Sequence, residues 1–308
     1  MTPAIRKFLR GAGFRARDAW PCIRERLRVY AELTRLNRPV GAMLLLWPTL
    51  WALWIAGDGA PSLHLLLVFV SGVILTRSAG CVLNDLADRG FDAHVQRTRL
   101  RPLATGAVRP QEALRVAGTL LGIAFILVLT TNRLTILLSF VALALAGLYP
   151  YMKRHTYLPQ FALGLAFSWG IPMAFAAQTG AIPQVAWLLF IANLLWTVVF
   201  DTIYAMVDRE DDLRIGVKST AILFEDADRL IIGVIQGMFI VVMALVGRRL
   251  ELGTPYAVSL ATAAAFMVYH QYLIHERLPH KCLQAFHNNQ WVGFAIFAGL
   301  VSAYGLKS

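Results

Sequence analysis

The stretch from Arg77 to Pro102 reads RSAGCVLNDLADRGFDAHVQRTRLRP and joins an apolar run to a basic loop. Within it, Asn84, Asp88 and Asp92 follow one another at intervals of four residues. On a helix this spacing places three oxygen-bearing side chains on one face. Mg²⁺ prefers oxygen ligands, and it typically takes one or two carboxylates together with the phosphate oxygens of a substrate. The stretch therefore predicts a helix that ends in a metal-binding face.

A second acidic stretch, DTIYAMVDREDD, runs from residue 201 to residue 212. Asp208 and Asp212 are again four residues apart, and Asp201 precedes Asp208 by seven residues, so it lies on roughly the same helix face. Carboxylates at this spacing repel one another, and a bound cation compensates for the repulsion. The alternative is a solvated loop that turns at a membrane surface, but such a loop has no need for helical spacing.

The composition indicates a membrane protein that crosses the bilayer many times. Hydrophobic residues make up 57% of the 308 residues and charged residues only 15%, whereas about a quarter of a typical soluble domain is charged. The net charge of +11 could suggest a nucleic-acid partner. The basic residues lie in loops between apolar runs, however, where anionic lipid and membrane topology account for them, so we expect no nucleic acid.

Nine apolar runs follow the N-terminal segment, each near the ~20 residues that a membrane-spanning helix needs. They predict an all-α fold, a bundle of nine transmembrane helices. The runs cover residues 40–57, 63–84, 113–131, 134–151, 157–178, 184–206, 229–247, 255–274 and 289–306.

Most Lys and Arg residues lie in the N-terminal segment and in the loops after the even-numbered runs. Such loops stay on the cytoplasmic side of a membrane. The asymmetry therefore predicts a cytoplasmic N-terminus, cytoplasmic acidic stretches and, after nine crossings, a C-terminus on the other side, in the periplasm if the membrane is a bacterial inner membrane. A mitochondrial origin stays open because the N-terminus is basic.

The chain divides into a basic segment, residues 1–36, and a membrane domain, residues 37–308. The basic segment has no apolar run long enough for a secretory signal. We interpret it as an amphipathic helix on an anionic membrane face, with a loosely ordered tail as the alternative.

Basic residues on the same membrane face are candidates to bind an anionic substrate. Lys153 and Arg154 end the fourth run, and Lys218 follows the second acidic stretch. Arg binds phosphate oxygens with two parallel hydrogen bonds, and Lys provides a point charge. The alternative for each is a purely topological role.

Arg77 lies seven residues before Asn84, on the same predicted helix face but inside an apolar run. An Arg inside a membrane span is costly and usually functional. It could pair with Asp201 or bind a substrate carboxylate. Arg38, at the start of the first run, could lie behind it, or it could simply extend to the membrane interface.

Six stretches together resemble the intramembrane prenyltransferases of the UbiA family over residues 30–306. They are NDLADRGFD (84–92), RTRLRPLATG (97–106), LYPYMKRHTYLPQ (148–160), DTIYAMVDREDDLRIGVKSTAILF (201–224), RLNRPVGAMLLLWPTLWALWIAG (35–57) and NNQWVGFAIFAGL (288–300). The combination is far more specific than a single DxxxD.

The resemblance implies a nine-helix α bundle whose active site faces the cytosol, a polyprenyl diphosphate donor, Mg²⁺ at both acidic rows and an aromatic acceptor, without an obligate protein partner. The loop sequences are most similar to members that act on 4-hydroxybenzoate in ubiquinone biosynthesis. Motif matching assigns metal and diphosphate binding to Asn84, Asp88, Asp92, Asp208 and Asp212, and the diphosphate oxygens to Lys153 and Arg154.

The expected reaction begins with ionisation of the allylic C–O bond and ends with attack by the ring carbon ortho to the phenol. We assign Asp201 or Asp208 to the phenol, and Arg77, with Arg38 behind it, to the acceptor carboxylate. Three alternatives are a prenyltransferase for another acceptor (haem, a chlorin or a naphthoate), a cation-coupled transporter and a structural membrane scaffold. The scaffold leaves the acidic rows unexplained.

Overall fold

The computed structural model describes residues 16–92 and 97–307, and the side chains of residues 23–90 and 97–307. This part of the chain contains helices and turns and no β-strand. Its α-helices, in chain order, are α1 (Ala16–Leu33), α2 (Val40–Ala56), α3 (Leu63–Asp92), α4 (Pro110–Val128), α5 (Arg133–His155), α6 (Pro159–Ser168), α7 (Gly170–Thr179), α8 (Gln184–Ile215), α9 (Thr220–Leu223), α10 (Asp228–Arg249), α11 (Gly253–Leu273) and α12 (Pro279–Gly305).

Each of the nine apolar runs falls on helix in the described part of the chain, and the fifth run spans two consecutive helices, α6 and α7. Within residues 16–92 and 97–307, seven helical segments are long and apolar enough to cross a membrane. Helix α2, with 17 residues, is a shorter apolar helix, and α12 is not among the seven. The all-α, polytopic prediction is confirmed, whereas the count of nine crossings stays a prediction.

The break between α6 and α7 was not predicted from the sequence. Pro172 has no backbone N–H, so the carbonyl of Ser168 lacks its usual helical partner, and α6 ends at that residue. Trp169 lies at the break and its Nε1 donates to the Leu138 carbonyl at 2.9 Å. This hydrogen bond joins the broken segment to α5, the helix that carries Lys153.

Helices α3 and α8 are 30 and 32 residues long, and both continue past the apolar runs that begin them. Helix α3 continues through Asp92, and α8 continues to Ile215. Gly216 then ends α8 with a left-handed φ of 73°, and the N–H of the next residue, Val217, donates to the Asp212 carbonyl at 3.0 Å. Both acidic rows are therefore on helices, as the four-residue spacing predicted.

Helix α8 is the central element of the bundle. Of its most apolar window, 72% is buried inside the protein, against 11% for α5 and 17% for α4. Trp196 of α8 packs against Trp51 of α2 and donates to Asn289 Oδ1 of α12 at 2.9 Å. Trp51 donates to the Gly293 carbonyl at 3.0 Å. The second acidic row thus extends from the most firmly packed helix.

A separate apolar cluster lies between α1, α3 and α4. Leu33 of α1 packs with Val82 of α3, with Leu103 and Val108 of the following loop and with Ala113 of α4. Residues 1–15 of the basic segment lie outside the described residues. The placement of this segment on a membrane surface and the division at residue 36 stay predictions.

Candidate active site

A cavity of about 160 Å³ lies between the ends of α3, α5 and α8. Both acidic rows and several basic and aromatic side chains line it. The lining residues are Asn84, Asp88, Arg97, Thr98, Arg101, Tyr149, Lys153, Pro159, Gln160, Asp201, Tyr204, Ala205, Asp208, Asp212, Ile215, Val217, Lys218 and Ser219.

The first acidic row is neutralised from α5. Asp88 is only 3% exposed and accepts hydrogen bonds from the Lys153 ammonium and from Asn84 Nδ2, the latter at 3.1 Å. A carboxylate at this burial needs such partners, because an unpaired buried charge is strongly unfavourable. The Lys153 ammonium is therefore the cation that faces the first acidic row.

The second row is neutralised from the loop that follows the first. Arg97 Nε donates to Asp208 Oδ1 and Oδ2 at 2.9 and 3.1 Å, and its Nη2 also contacts Oδ2. The guanidinium lies 4.6 Å from the centre of the Tyr204 ring and donates to the Tyr204 hydroxyl. Among the described side chains, none forms a hydrogen bond or ion pair with the Asp212 carboxylate.

The structure brings most of the predicted site residues together and leaves others outside. The cavity contains Asn84, Asp88, Lys153, Asp201, Asp208, Asp212 and Lys218. Arg154 is exposed and donates to the Ala87 carbonyl, outside the cavity lining. Asp92 lies on α3, but its side chain is outside the described residues.

Arg77 is half-buried and does not line the cavity. Its guanidinium lies 5.7 Å from the Phe167 ring centre and next to Gly41, where a Cβ would come within 2.7 Å of Nη2. No ion pair joins Arg77 to Asp201, whose side chain is described as well. Arg38 is exposed at the start of α2. The role of these two arginines toward a substrate carboxylate stays a prediction.

The sequence analysis missed Arg97, Arg101, Tyr149 and Tyr204. The two tyrosines had a signal, because Tyr204 precedes Asp208 by four residues and Tyr149 precedes Lys153 by four, so each shares a helix face with a predicted site residue. Arg97 and Arg101 belonged to a motif but had been counted only as topological charges.

A short segment after α8 closes the cavity from the side of α5. The Lys218 N–H donates to the Lys153 carbonyl at 3.1 Å. The Thr220 N–H donates to Gln160 Oε1 at 3.0 Å, and Ser219 caps α9. Lys218 is thereby fixed at the cavity wall beside Lys153.

The donor set fits divalent cations bound together with a substrate anion. Across residues 16–92 and 97–307, no three acidic, His or Cys side chains gather closely enough to form a metal site alone. Mg²⁺ commonly uses one or two carboxylates plus phosphate oxygens, and each row offers such a set: Asn84 with Asp88, and Asp208 with Asp212.

The charges of the described lining residues balance. Four carboxylates (Asp88, Asp201, Asp208 and Asp212) face four cationic groups (Arg97, Arg101, Lys153 and Lys218). A bound diphosphate would add negative charge, and these side chains have no excess positive charge to compensate for it. Divalent cations would supply the missing positive charge.

In the described part of the chain, an all-helical bundle with apolar helices of membrane length and two acidic rows beside Lys and Arg indicates a membrane protein whose site suits an anionic substrate. The chain belongs to the UbiA prenyltransferase family, which matches residues 45–298. This confirms the resemblance drawn from the six motifs.

Relatives with high identity cover nearly the whole chain. The chain is 61% identical over 276 residues to the 4-hydroxybenzoate octaprenyltransferase of Hahella chejuensis, covering 90% of this chain and 92% of that protein. It is 58% identical over 281 residues to the 4-hydroxybenzoate octaprenyltransferase of Aeromonas hydrophila, covering 91% and 98%.

Solved structures share the fold. A UbiA homologue from Aeropyrum pernix superposes with a TM-score of 0.75 at 25% identity, over 84% of this chain and 97% of the homologue. A UbiA homologue from Archaeoglobus fulgidus, bound to GPP and Mg²⁺, gives a TM-score of 0.68 at 17% identity, over 87% and 99%.

Proposed function

We propose that this protein transfers a polyprenyl group from polyprenyl diphosphate to the ring carbon ortho to the phenol of 4-hydroxybenzoate, releasing diphosphate, in ubiquinone biosynthesis. The observation that carries the proposal is the single cavity into which both acidic rows converge with Lys153, Lys218 and Arg97. The names of relatives at 56–61% identity support the acceptor.

Mg²⁺ is the proposed cofactor. Asn84 and Asp88 would bind one ion, with Asp92 as a further candidate, and Asp208 and Asp212 would bind another. When bound, Mg²⁺ would neutralise the charge that develops on the leaving diphosphate. The balanced charge of the cavity lining supports this need, as do the Mg²⁺ and Cd²⁺ bound to the Archaeoglobus homologue.

The chain's own cations bind and orient the diphosphate. Lys153, Lys218 and Arg101 line the cavity and present donors to it. Arg97 forms an ion pair with Asp208, and its planar guanidinium can donate two parallel hydrogen bonds to phosphate oxygens. These donors stabilise negative charge on the leaving group as the allylic bond breaks. We propose a smaller contribution from Arg154, which lies outside the cavity lining.

The aromatic acceptor binds next to the ionising carbon. Tyr149 and Tyr204 provide flat apolar walls against which a ring can stack, and Asp201 lines the same space. Asp201 or Asp208 accepts the phenol hydrogen bond, and Arg77 binds the carboxylate. The apolar bundle excludes water, which would otherwise capture the allylic cation.

The protein acts within the bilayer, because its donor carries a long apolar chain and its helices are of membrane length. We propose a bacterial inner membrane location, with the N-terminus and the acidic loops in the cytoplasm and the C-terminus in the periplasm, as the Lys and Arg distribution predicts.

The test uses membranes containing the overexpressed protein, supplied with 4-hydroxybenzoate and a polyprenyl diphosphate, with Mg²⁺ or with EDTA. We expect C-prenylated acid and free diphosphate, both lost in EDTA. Diphosphate release without prenylated acid would overturn the acceptor and retain the ionisation chemistry. Substrate uptake without any diphosphate release would favour a transporter.

A further inference from the structure

Asp85 lies between the proposed metal-binding residues Asn84 and Asp88 in sequence but does not line the cavity. On a helix Asp85 is turned about 100° from Asn84 but only about 60° from Asp88, so its absence from the cavity lining is due to the partners that bind it and not to its helix face alone. It is 1% exposed. Its position therefore needs an explanation other than metal or diphosphate binding.

Two arginines from different segments donate to this carboxylate. Arg35 Nη2 lies 2.9 Å from Oδ1 and 2.7 Å from Oδ2, and Arg101 Nη1 lies 2.9 Å from Oδ1. Arg35 lies two residues after the end of α1 in a left-handed conformation with φ of 59°, and Arg101 belongs to the loop between α3 and α4. Asp85 thus joins three segments at one buried point.

The loop joined in this way supplies three lining side chains, Arg97, Thr98 and Arg101. The Arg101 N–H donates to the Thr98 carbonyl at 2.9 Å, so these residues form one turn. A shift of Arg101 would move this turn and displace Arg97 from Asp208. The ion pair at Asp85 is in this way connected to the second acidic row.

Helix α1 contacts the same loop independently of Asp85. Arg26 Nη1 donates to the Ala107 carbonyl at 3.0 Å, and Arg26 and Tyr30 both bind the Glu112 carboxylate at the start of α4. The hydrogen bond to Glu112 raises the pKa of Tyr30, which keeps the hydroxyl protonated as a donor. Leu33 packs on Leu103 and Val108 of the loop.

We propose that Asp85 is a positioning residue: through Arg101 and Arg35 it holds the 97–101 turn against α3 and α1, so that Arg97 and Arg101 face the diphosphate. This inference rests on the proposed function for its kinetic consequence. The structural consequence, a turn held in place, does not depend on it.

The test compares Asp85→Asn with Arg28→Gln. The control residue, Arg28, lies on α1 and pairs with Glu32 at an Nε–Oε1 distance of 3.3 Å. Its side chain is 74% exposed. Purified protein in lipid vesicles is treated with trypsin, and cleavage after Arg97, Arg99 and Arg101 is followed by mass spectrometry. We expect cleavage in Asp85→Asn to be at least about tenfold faster than in the control.

Kinetic measurements distinguish a positioning role of Asp85 from a role as a Mg²⁺ ligand. We expect Asp85→Asn to raise the KM for polyprenyl diphosphate by about tenfold and to leave the Mg²⁺ concentration for half-maximal rate unchanged. Asp85→Glu, which keeps the charge, should restore part of both readouts. Arg35→Gln should loosen the turn less, and adding it to Asp85→Asn should change little, since the pair acts as a unit.

Wild-type protection of the turn in folded Asp85→Asn would overturn the proposal. So would an altered Mg²⁺ requirement with normal protection, since Asp85 would then be a ligand. If Asp85→Asn does not fold, wild-type protection of the turn in Arg35→Gln would count against the proposal. If the wild type makes no prenylated acid, the proposed function fails while the trypsin comparison still decides this inference.

Discussion

The two acidic rows have the same spacing but different surroundings. Asp88 of the first row is nearly inaccessible and bound by Lys153, whereas Asp208 of the second is bound by Arg97 and Asp212 has no partner among the described side chains. Arg97 comes from the loop that follows the first row. The loop after one row therefore neutralises the other, and the two rows form one site rather than two copies of a motif.

Removal of a carboxylate from either row is the most direct test of whether the two rows form one site. We expect Asp88→Ala and Asp208→Ala each to lower prenyl transfer by about 10³-fold or more, because each change removes a proposed metal ligand and leaves a cation unpaired. The rate of C-prenylated acid formation measures this. Glu210→Gln, an exposed change on the same helix as Asp208, is the control and should retain activity. Equal activity in all three variants would refute a shared site.

Lys153 and Arg154 provide a sharper test because they are adjacent. We expect Lys153→Met to lower kcat by about 10²-fold, since the ammonium faces Asp88 in the cavity. Arg154→Met should cost less than about fivefold, because Arg154 is exposed and does not line the cavity. The two variants are compared by their single-turnover rates at saturating polyprenyl diphosphate. A larger effect at Arg154 would show that the cavity as described omits a substrate contact.

A smaller effect is expected at Gly41, where an added Cβ would lie 2.7 Å from Arg77 Nη2. Gly41→Ala should displace the guanidinium and raise the KM for 4-hydroxybenzoate by about tenfold, with little change in the KM for the diphosphate. Gly72→Ala on α3 is the matched control, since its Cβ would meet no atom within 4 Å. A change in the diphosphate KM alone would remove Arg77 from acceptor binding.

The smallest effect on activity is expected at the support of the second row. Asp228 is fully buried and accepts from Arg277 Nη2 at 2.8 Å, while Arg209, next to Asp208, lies 3.5 Å away. Asp228→Asn should lower the thermal unfolding midpoint in detergent by several degrees, because two half-buried arginines lose their buried counter-charge, and should change kcat less than about fivefold. Asp226→Asn, which is exposed, should leave the midpoint unchanged.

Periodicity explains what was predictable. Nine apolar runs predicted helices, and the four-residue spacing predicted that α3 and α8 continue past them. The break at Trp169 between α6 and α7 was not predicted, although Pro172 within the fifth apolar run was a local signal for it. Membrane hydropathy averages over about twenty residues and does not register a single missing hydrogen bond.

The site was half predictable for a related reason. Residues spaced regularly on one helix could be grouped, so the acidic rows and Lys153 were found. Arg97, Arg101 and the role of Asp85 depend on how a loop folds back between helices, and no local pattern encodes that path. The basic loop was interpreted only through topology, which explains its charge but not the partner of each charge.

The lengths of α3 and α8 fix the depth of the proposed active site in the membrane. A helix of 30 residues is about 45 Å long, whereas the hydrocarbon layer is about 30 Å thick. The acidic ends of both helices therefore extend into the headgroup layer, level with the phosphates of the surrounding lipids. A diphosphate anchored by its apolar chain already has its charged end at this level. The donor can reach the proposed active site by lateral diffusion alone, without leaving the bilayer.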